Sequence, residues 1–202
     1  MIFIVDYDAV NIRCVERCFK HFGKEVIVTR DLHQIQGDDL LVLPGVGSFG
    51  HAVKSLQDSG CFEQIQDHIR ARRPFLGICL GLQLLFESSE ENPGVNGLGI
   101  FEGSVKRFQA TDQLCVPQIG WNTLDIQKNE FRKFHGKYFY FVHSYYVVPK
   151  DKSVTLSSTE YGQTYVSAVM RDQLIATQFH PEKSGEDGLS FMQTVMEYFK
   201  IK

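Results

Sequence analysis

The chain has 202 residues, a length that suits one α/β domain, so we expect residues 1–202 to form a single domain. Hydrophobic residues make up 43% and charged residues 22%, which is the balance of an ordinary globular protein. The net charge of -3 argues against unspecific binding to nucleic acid, and no apolar run approaches the roughly 20 residues that span a membrane.

Strand and helix patterns alternate through the first half of the chain. The predicted strands cover residues 2–5, 25–29, 40–43 and 74–78, and the predicted helices cover residues 11–21, 50–59, 62–72 and 80–86. Short strands that are apolar on both faces, with helices between them, are typical of a parallel sheet whose two faces are covered.

The second half of the chain is richer in strands. Apolar runs predict strands at residues 101–108, 114–124, 138–148, 154–158, 165–171 and 174–178, followed by a helix at about residues 186–200. We therefore predict an α/β fold with a central, mostly parallel sheet, helices on its faces and additional antiparallel strands.

The start of the chain and its cysteines indicate a cytoplasmic protein. Residues 1–6 lack the basic region and the small-residue cleavage site of a signal peptide. The five cysteines, an odd number spread along the chain, favour free thiols in a reducing compartment over a disulfide framework. Cys14 and Cys18 have no CxxC companion, so we expect core packing there and no metal site.

The segment from Pro74 to Gln83 has the pattern of a nucleophile elbow. A buried strand leads directly into a predicted helix, and Cys79 lies at the junction between Gly77 and Gly81. Glycines suit this turn because side chains there would collide with neighbouring backbone. A helix that begins after Cys79 would direct its positive end at the sulfur and favour the thiolate. Taken alone, the pattern also fits a small buried cysteine beside a glycine-rich turn.

A base for this nucleophile is found near the end of the chain. His180 follows a predicted strand, at the edge of the sheet where parallel strands gather catalytic groups. Glu182 lies two residues further on and is close enough to orient the imidazole. This spacing is common by chance, and it gains weight from the elbow at Cys79.

A glycine-rich segment after the third strand predicts an oxyanion hole. Backbone N–H groups of Gly45, Val46 or Gly47, together with that of Leu80, would face a substrate carbonyl oxygen. A phosphate-binding loop would also be rich in glycine, but the Lys-Ser/Thr pair of a Walker motif is absent here.

These motifs together resemble a known family. Residues 77–83 (Gly-Ile-Cys-Leu-Gly-Leu-Gln) and 178–182 (Gln-Phe-His-Pro-Glu) are similar to the class I, triad-type glutamine amidotransferases, whose fold is flavodoxin-like. Within that class, segments spread over nearly the whole chain resemble the glutaminase subunits of imidazole glycerol phosphate synthase: residues 44–49, 87–91, 120–122, 140–145 and 179–184.

The resemblance implies that the chain hydrolyses glutamine without a cofactor. Cys79 would attack the side-chain amide, His180 would protonate the departing ammonia, and Glu182 would orient His180. Water would then hydrolyse the thioester to glutamate. By the same matching, the residues that hold L-glutamine are Gln83, Glu91, His143, Ser144 and Tyr145.

The resemblance also implies a protein partner. Ammonia would pass to a cyclase subunit, a (β/α)8 barrel, in a heterodimer that makes imidazole glycerol phosphate and an aminoimidazole carboxamide ribotide for histidine biosynthesis. The residues that match partner-facing positions are Asn11, Trp121, Tyr140 and Lys183. Isolated subunits of this family are usually nearly inactive until the partner binds its own ligand, and we expect the loop at residues 44–47 to rearrange on activation.

Three positions near the expected interface depart from the family pattern. Asp8 and Val10 replace the glycines of Asp-Tyr-Gly-x-Gly-Asn, and Gln118 replaces the histidine of Pro-His-x-Gly-Trp-Asn. A paralogous glutaminase that supplies ammonia to an enzyme that amidinates surface sugars would look like this, and it is the main alternative.

Two more distant alternatives are a different Cys-His hydrolase and a catalytically silent scaffold subunit. An α/β-hydrolase normally places its acid before the histidine, whereas Glu182 follows His180. A silent subunit typically loses the cysteine or the histidine, and this chain keeps both.

Overall fold

The computed structural model describes residues 1–7, 11–112 and 114–201. Its strands are β1 (Ile2–Val5), β2 (Val26–Thr29), β3 (Leu40–Gly45), β4 (Phe75–Cys79), β5 (Phe86–Ser89), β6 (Phe101–Arg107), β7 (Gln118–Thr123), β8 (Asp125–Ile126), β9 (Tyr138–His143), β10 (Tyr145–Pro149), β11 (Thr155–Glu160), β12 (Thr164–Arg171) and β13 (Leu174–Thr177). Its α-helices are α1 (Ile12–His21), α2 (Phe49–Asp58), α3 (Cys61–Arg70), α4 (Leu80–Gln83) and α5 (Gly185–Tyr198). In the described part of the chain, no helix is long and apolar enough to cross a membrane.

Most strands belong to one large mixed sheet in the order β2–β1–β3–β4–β13–β12–β10–β6–β5, and β11 and β8 extend it from β12. Strands β2, β1, β3, β4 and β13 run parallel to one another. Antiparallel pairs then join β13 to β12, β12 to β10 and β10 to β6. Strands β7 and β9 pair antiparallel apart from this sheet, and we call them the β7–β9 ribbon. The predicted fold class is confirmed.

Alternation along the strands divides the core into two layers. Ile2 and Ile4 of β1 point to one face of the sheet, where α1 and α5 pack, whereas Phe3 and Val5 point to the face that α2 and α3 cover. Both faces are apolar because both are covered, as the short apolar strands of the first half predict.

The predicted helix over residues 80–86 is wrong beyond its first turn. Helix α4 ends at Gln83, and Phe86 already begins β5. The Leu84 carbonyl accepts a hydrogen bond from the backbone N–H of Leu98, and the Leu85 carbonyl accepts from Ile100. These hydrogen bonds to distant donors end the helix, and the local sequence pattern does not indicate them.

The predicted strand over residues 138–148 is in fact two strands. Strand β9 ends at His143 and pairs with β7, whereas β10 begins at Tyr145 and pairs with β6 and β12. The apolar pattern runs through both strands and gives no sign of the change at Ser144. The strand predicted at residues 114–124 begins only at Gln118, and the sequence pattern predicts neither β5 nor β8.

Candidate active site

Cys79 lies at the end of β4 in the conformation of an elbow, with φ 55° and ψ -107°. The two flanking glycines are required by close contacts. A Cβ on Gly81 would collide with the carbonyl oxygen of Leu43 in the neighbouring strand, and a Cβ on Gly77 would lie 2.9 Å from the Cβ of Ala176. Two strands therefore approach this turn so closely that only glycine fits beside the cysteine.

The electrostatic surroundings of the Cys79 sulfur differ from the prediction. Helix α4 has four residues and is too short for the helix dipole predicted at the sulfur. The side-chain amide of Gln178 contacts the sulfur, since its Nε2 donates to Sγ at 3.6 Å. Gln178 has a direct contact with the sulfur that the sequence analysis does not predict. The sequence feature that could have identified Gln178 is its position two residues before His180, at the end of the same strand.

His180 is placed beside Cys79 by strand pairing. β13 runs parallel to β4 with Thr177 opposite Ile78, so the residues that follow both strands meet at one edge of the sheet. The Nδ1 atom of His180 lies 2.8 Å from Oε1 of Glu182, and neither side chain is exposed. Nε2 of His180 has no hydrogen-bond partner among the described residues. The structure thus brings the three predicted catalytic residues together.

The charges around His180 favour the protonated form of its imidazole. Burial by itself would lower the pKa of His180, but the negative charges of a Cys79 thiolate and of Glu182 outweigh burial and raise the pKa to about 10. The hydrogen bond to Glu182 acts in the same direction. The imidazole of His180 is therefore protonated at neutral pH, where it can act as a proton donor.

The backbone of β9 holds the turn that carries His180. The N–H of His180 donates to the carbonyl of Tyr140 at 2.9 Å, and the N–H of Tyr140 donates to Oγ of Ser184 at 3.0 Å. The same Ser184 hydroxyl donates to the carbonyl of His180 at 2.7 Å. The triad turn is therefore connected to the β7–β9 ribbon through Tyr140.

The loop predicted to form the oxyanion hole begins opposite the nucleophile. Gly45 pairs with Cys79 across β3 and β4, and the hydroxyl of the buried Tyr7 donates to the Pro44 carbonyl at 2.7 Å. Val46 and Gly47 follow and line the cleft above the sulfur. Gly47 has φ 117°, which favours glycine. Of the predicted oxyanion residues, Gly45 alone does not line the cleft.

The cleft beside Cys79 has a volume of about 280 Å³. It brings together the nucleophile, part of the predicted oxyanion hole and all the predicted glutamine-binding residues. The lining residues are Val46, Gly47, Cys79, Leu80, Gln83, Glu91, Pro117, Val142, His143, Ser144 and Tyr145.

Several lining residues are held by hydrogen bonds to the surrounding frame. Nε2 of Gln83 donates to the Tyr145 carbonyl at 3.1 Å and to Oε1 of Gln178 at 3.0 Å. Oε2 of Glu91 accepts from the N–H of Phe49, the first residue of α2, at 2.8 Å. The cleft thus presents a carboxylate that could bind an ammonium group.

His143 is part of a buried network that explains Gln118. Nε2 of His143 lies 3.3 Å from the Tyr165 hydroxyl, which donates to Oε1 of Gln118 at 2.9 Å. Burial, with a smaller effect of the charge of His180, lowers the pKa of His143 to about 4, although its contact with the Tyr145 carbonyl opposes this. The idea that Gln118 lies on a partner-facing surface is wrong, since its side chain is buried in this network. Asp8 and Val10 lie outside the described residues.

The four predicted interface residues divide into two groups. Trp121 and Tyr140 lie opposite each other on the β7–β9 ribbon, with ring centroids 6.1 Å apart, and Trp121 is 55% exposed. Lys183 is exposed as well. Asn11 departs from the prediction, because it is only 7% exposed and its Nδ2 donates to Oε1 of Glu182 at 2.5 Å.

Comparisons with known proteins agree with this geometry. A family model described as "Glutamine amidotransferase class-I" matches residues 3–195. The chain is 47% identical over 201 residues to the "Imidazole glycerol phosphate synthase subunit HisH" of Syntrophotalea carbinolica, which covers 96% of this chain and 98% of that protein. It is 43% identical over 194 residues to the "Imidazole glycerol phosphate synthase hisHF, chloroplastic" of Arabidopsis thaliana, a match to 94% of this chain and 33% of that one. A solved structure titled "Crystal structure of glutamine amidotransferase" has the same fold, with a TM-score of 0.77, 17% identity and complete coverage of both chains.

Proposed function

Because the chain belongs to the class I glutamine amidotransferases, we propose that it is the glutaminase subunit of an imidazole glycerol phosphate synthase. It hydrolyses glutamine to glutamate and ammonia for histidine biosynthesis in the cytoplasm, and residues 1–202 act as one domain. The observation that carries this proposal is the elbow cysteine, Cys79, beside the buried pair of His180 and Glu182 at a cleft of about 280 Å³.

Glutamine is bound with its two ends at opposite ends of the cleft. The ammonium group of the substrate pairs with the Glu91 carboxylate, and Gln83, His143, Ser144 and Tyr145 line the walls around the aliphatic part. The cleft lies slightly below the range of about 300–1,000 Å³ that small-molecule pockets usually have, which suits a single amino acid.

The first half of the reaction forms a thioester and releases ammonia. The Cys79 thiolate attacks the side-chain amide carbon, and the negative charge on the amide oxygen is stabilised by backbone N–H groups of the Val46–Gly47 segment and of Leu80. The imidazolium of His180 gives its proton to the amide nitrogen, the C–N bond breaks, and ammonia leaves.

The second half restores the enzyme. Neutral His180 takes a proton from a water molecule, and the resulting hydroxide attacks the thioester carbon. The C–S bond breaks, glutamate leaves, and the Cys79 thiolate is again paired with the His180 imidazolium. Glu182 accepts a hydrogen bond from Nδ1 of His180 throughout, so that Nε2 stays directed at the reacting atoms.

The partner is a cyclase subunit with a (β/α)8 barrel, which binds the exposed face of the β7–β9 ribbon. Ile119, Trp121 and Tyr138 are 64%, 55% and 59% exposed on this ribbon, an unusual group of large apolar side chains in water. In the Arabidopsis relative the matched segment is only 33% of a longer chain, so a domain of this type occurs there joined to a further segment.

Glutamate release from glutamine tests the proposal in three states: the chain alone, the chain with the cyclase barrel of the same organism, and both with the ribonucleotide substrate of the barrel. We expect strong activation in the third state and its complete loss in Cys79→Ala. Cys115→Ala, which changes an exposed cysteine, is the matched control and should keep full activity. A wild-type chain whose Cys79 reacts with a glutamine analogue but which the barrel never activates would contradict the proposed acceptor and favour the sugar-amidinating paralogue.

A further inference from the structure

Asn11 is the N-cap residue of α1, but its side chain does not make the hydrogen bond that an asparagine usually makes at this position. Asparagine is favoured at helix N-caps because its side-chain oxygen accepts a hydrogen bond from a backbone N–H of the first turn. The Asn11 side chain makes no such bond. It is only 7% exposed. Capping of α1 therefore does not explain this residue.

The Asn11 side chain instead reaches the acid of the triad. Its Nδ2 donates to Oε1 of Glu182, the same oxygen that lies 2.8 Å from Nδ1 of His180. Because a carboxylate only accepts hydrogen bonds, the group that faces it must be the NH₂ of the amide. The Nδ2 of Asn11 and the Nδ1 of His180 are 3.5 Å apart and converge on this one atom.

Among the described residues, these two nitrogens are the donors that hold the Glu182 carboxylate. The other oxygen, Oε2, is buried without a hydrogen-bond partner in that part of the chain, and the Glu182 side chain has no exposure to solvent. Without Asn11, the carboxylate would be held by the imidazole that it is meant to orient. The Asn11 amide, at the start of α1, is a donor that holds the carboxylate independently of the imidazole.

We propose that Asn11 is a positioning residue of the triad, whose carboxamide fixes the Glu182 carboxylate so that Glu182 holds the His180 imidazole towards Cys79. This inference rests on the proposed glutaminase function and adds a fourth residue to its machinery. Asn11 acts through Glu182 and does not itself touch the reacting atoms.

The titratable groups that surround this carboxylate come from several elements. His180 lies on the same turn, Cys79 on the elbow after β4, and Cys18 on α1, where burial and then the charge of Glu182 raise the thiol pKa to about 12. The charge of His180 also acts on His143 of β9. Cys18 and His143 stay uncharged near neutral pH, so a new charge at position 11 would act mainly on Glu182 and the Cys79–His180 pair.

Two substitutions distinguish the effect of the N–H donor from the effect of the side-chain shape. Asn11→Asp keeps the size and the ability to cap a helix but offers a carboxylate in place of the NH₂ group, whereas Asn11→Ala removes the side chain. Arg13→Ala, an exposed change two residues further along α1, is the matched control. Glutamate release by the full chain, with the barrel and its ligand where these activate it, and the rate of Cys79 alkylation by iodoacetamide are measured from pH 6 to pH 8.5. Alkylation is read by peptide mass spectrometry with the exposed Cys14 as the internal standard, and urea unfolding checks each variant.

We expect Asn11→Ala to lower kcat by about 10- to 100-fold with KM changed less than about twofold, by analogy with residues that orient metal ligands, whose loss has effects of this size. Asn11→Asp should be equally impaired at pH 8 and should recover relative to wild type as the pH falls to 6. The reason is that two adjacent carboxyl groups share one proton, and the shared proton replaces the lost N–H donor. Arg13→Ala should match wild type throughout.

Two results would overturn the proposal. One is wild-type turnover and alkylation profiles in both Asn11 variants. The other is full activity of Asn11→Asp at pH 8 beside an impaired Asn11→Ala, which would show that shape or capping matters and the N–H donor does not. A wild-type chain with neither turnover nor a reactive Cys79 would instead refute the proposed function, and this inference with it.

Discussion

The turn at the reactive cysteine is so close to a neighbouring strand that a side chain does not fit at Gly81. The neighbouring Cys79 already adopts φ 55° and ψ -107°, which costs a non-glycine residue about 1–3 kcal/mol. That conformation persists because β3 and β4 pack closely around the turn. A side chain at position 81 would meet the Leu43 carbonyl, which cannot move without breaking the pairing of β3.

We therefore expect Gly81→Ala to lower the free energy of unfolding by about 3 kcal/mol and to abolish glutamate release. Gly23→Ala is the control, because Gly23 also has a positive φ, 68°, but nothing lies within 4 Å of the added methyl group. It should cost about 1 kcal/mol and leave turnover unchanged. Urea unfolding followed by circular dichroism measures both variants, and equal losses would show that φ matters and the Leu43 contact does not.

At the scale of single residues, the sequence identifies those whose role is indicated by their near neighbours in the chain. Cys79 lies between glycines after a strand, and His180 follows another strand with an acid two residues on. Asn11 and Gln118 are different, because their partners lie far away in the sequence; Asn11 and Glu182 are separated by 171 residues. Only tertiary packing determines which way such side chains turn.

Among the elements, the turn that carries the triad depends on its connection to β9. Ser184 makes that connection, since its hydroxyl bonds both the His180 carbonyl and the Tyr140 N–H. Losing it leaves a buried N–H unpaired and allows the turn to shift relative to Cys79.

Ser184→Ala should lower turnover about tenfold and the free energy of unfolding by about 1–2 kcal/mol. Ser59→Ala removes a hydroxyl that donates to the Leu56 carbonyl at 3.1 Å, far from the site, and should keep full turnover. Steady-state glutamate release at saturating glutamine makes the comparison. An unchanged rate in Ser184→Ala would show that the other contacts suffice to hold the turn.

Elements with a strong local pattern are predicted well, and those that depend on a distant partner are not. The parallel strands of the first half and helix α5 lie close to their predicted residues because burial on defined faces shapes their sequences. The early end of α4 and the break at Ser144 follow from hydrogen bonds to segments elsewhere in the chain. A window of ten residues contains no information about such partners.

For the whole molecule, the β7–β9 ribbon offers an apolar surface that folding of the chain alone does not use. Trp121, the only tryptophan, contributes little to stability because it is 55% exposed. Large aromatic residues that lose this exposure in a complex often dominate the binding free energy.

We expect Trp121→Ala to raise the Kd for the cyclase barrel at least about tenfold while the urea midpoint stays the same. Val28→Ala, an exposed apolar residue at the edge strand β2, should alter neither. Isothermal titration calorimetry measures the affinity. In the wild-type complex, burial of Trp121 should also shift its fluorescence to shorter wavelength, and an unshifted spectrum with unchanged affinity would place the partner on another surface.

The two buried histidines beside the cleft change the stability of the fold in opposite directions as the pH changes. His143 has a pKa of about 4, below the ordinary value near 6.5, so the unfolded chain binds its proton first as the pH falls. Stability from this residue is complete above about pH 6.5 and is lost as the pH falls towards 4. His180, with a pKa of about 10, contributes fully below pH 6.5 and loses its contribution as the pH rises towards 10.

His143→Asn should therefore lose less stability than wild type between pH 7 and pH 4.5, by about 2 kcal/mol. His33→Asn, at an exposed histidine, should follow the wild-type curve. Urea unfolding at a series of pH values provides the measurement. Parallel curves for wild type and His143→Asn would show that His143 takes up its proton as readily in the folded protein as in the unfolded chain.

The position of β13 in the middle of the large sheet matters for the chain while it is being synthesised. Strands β1 to β4 emerge from the ribosome first, but β4 acquires its second neighbour only when residues 174–177 have also emerged. Until then, the fully apolar β4 is an open edge, the kind of strand that pairs with other chains. A ribosome that stalls after β4 but before residue 174 would thus release a fragment that has Cys79 but no His180, and that fragment would be a substrate for chaperones or proteases rather than a partial enzyme.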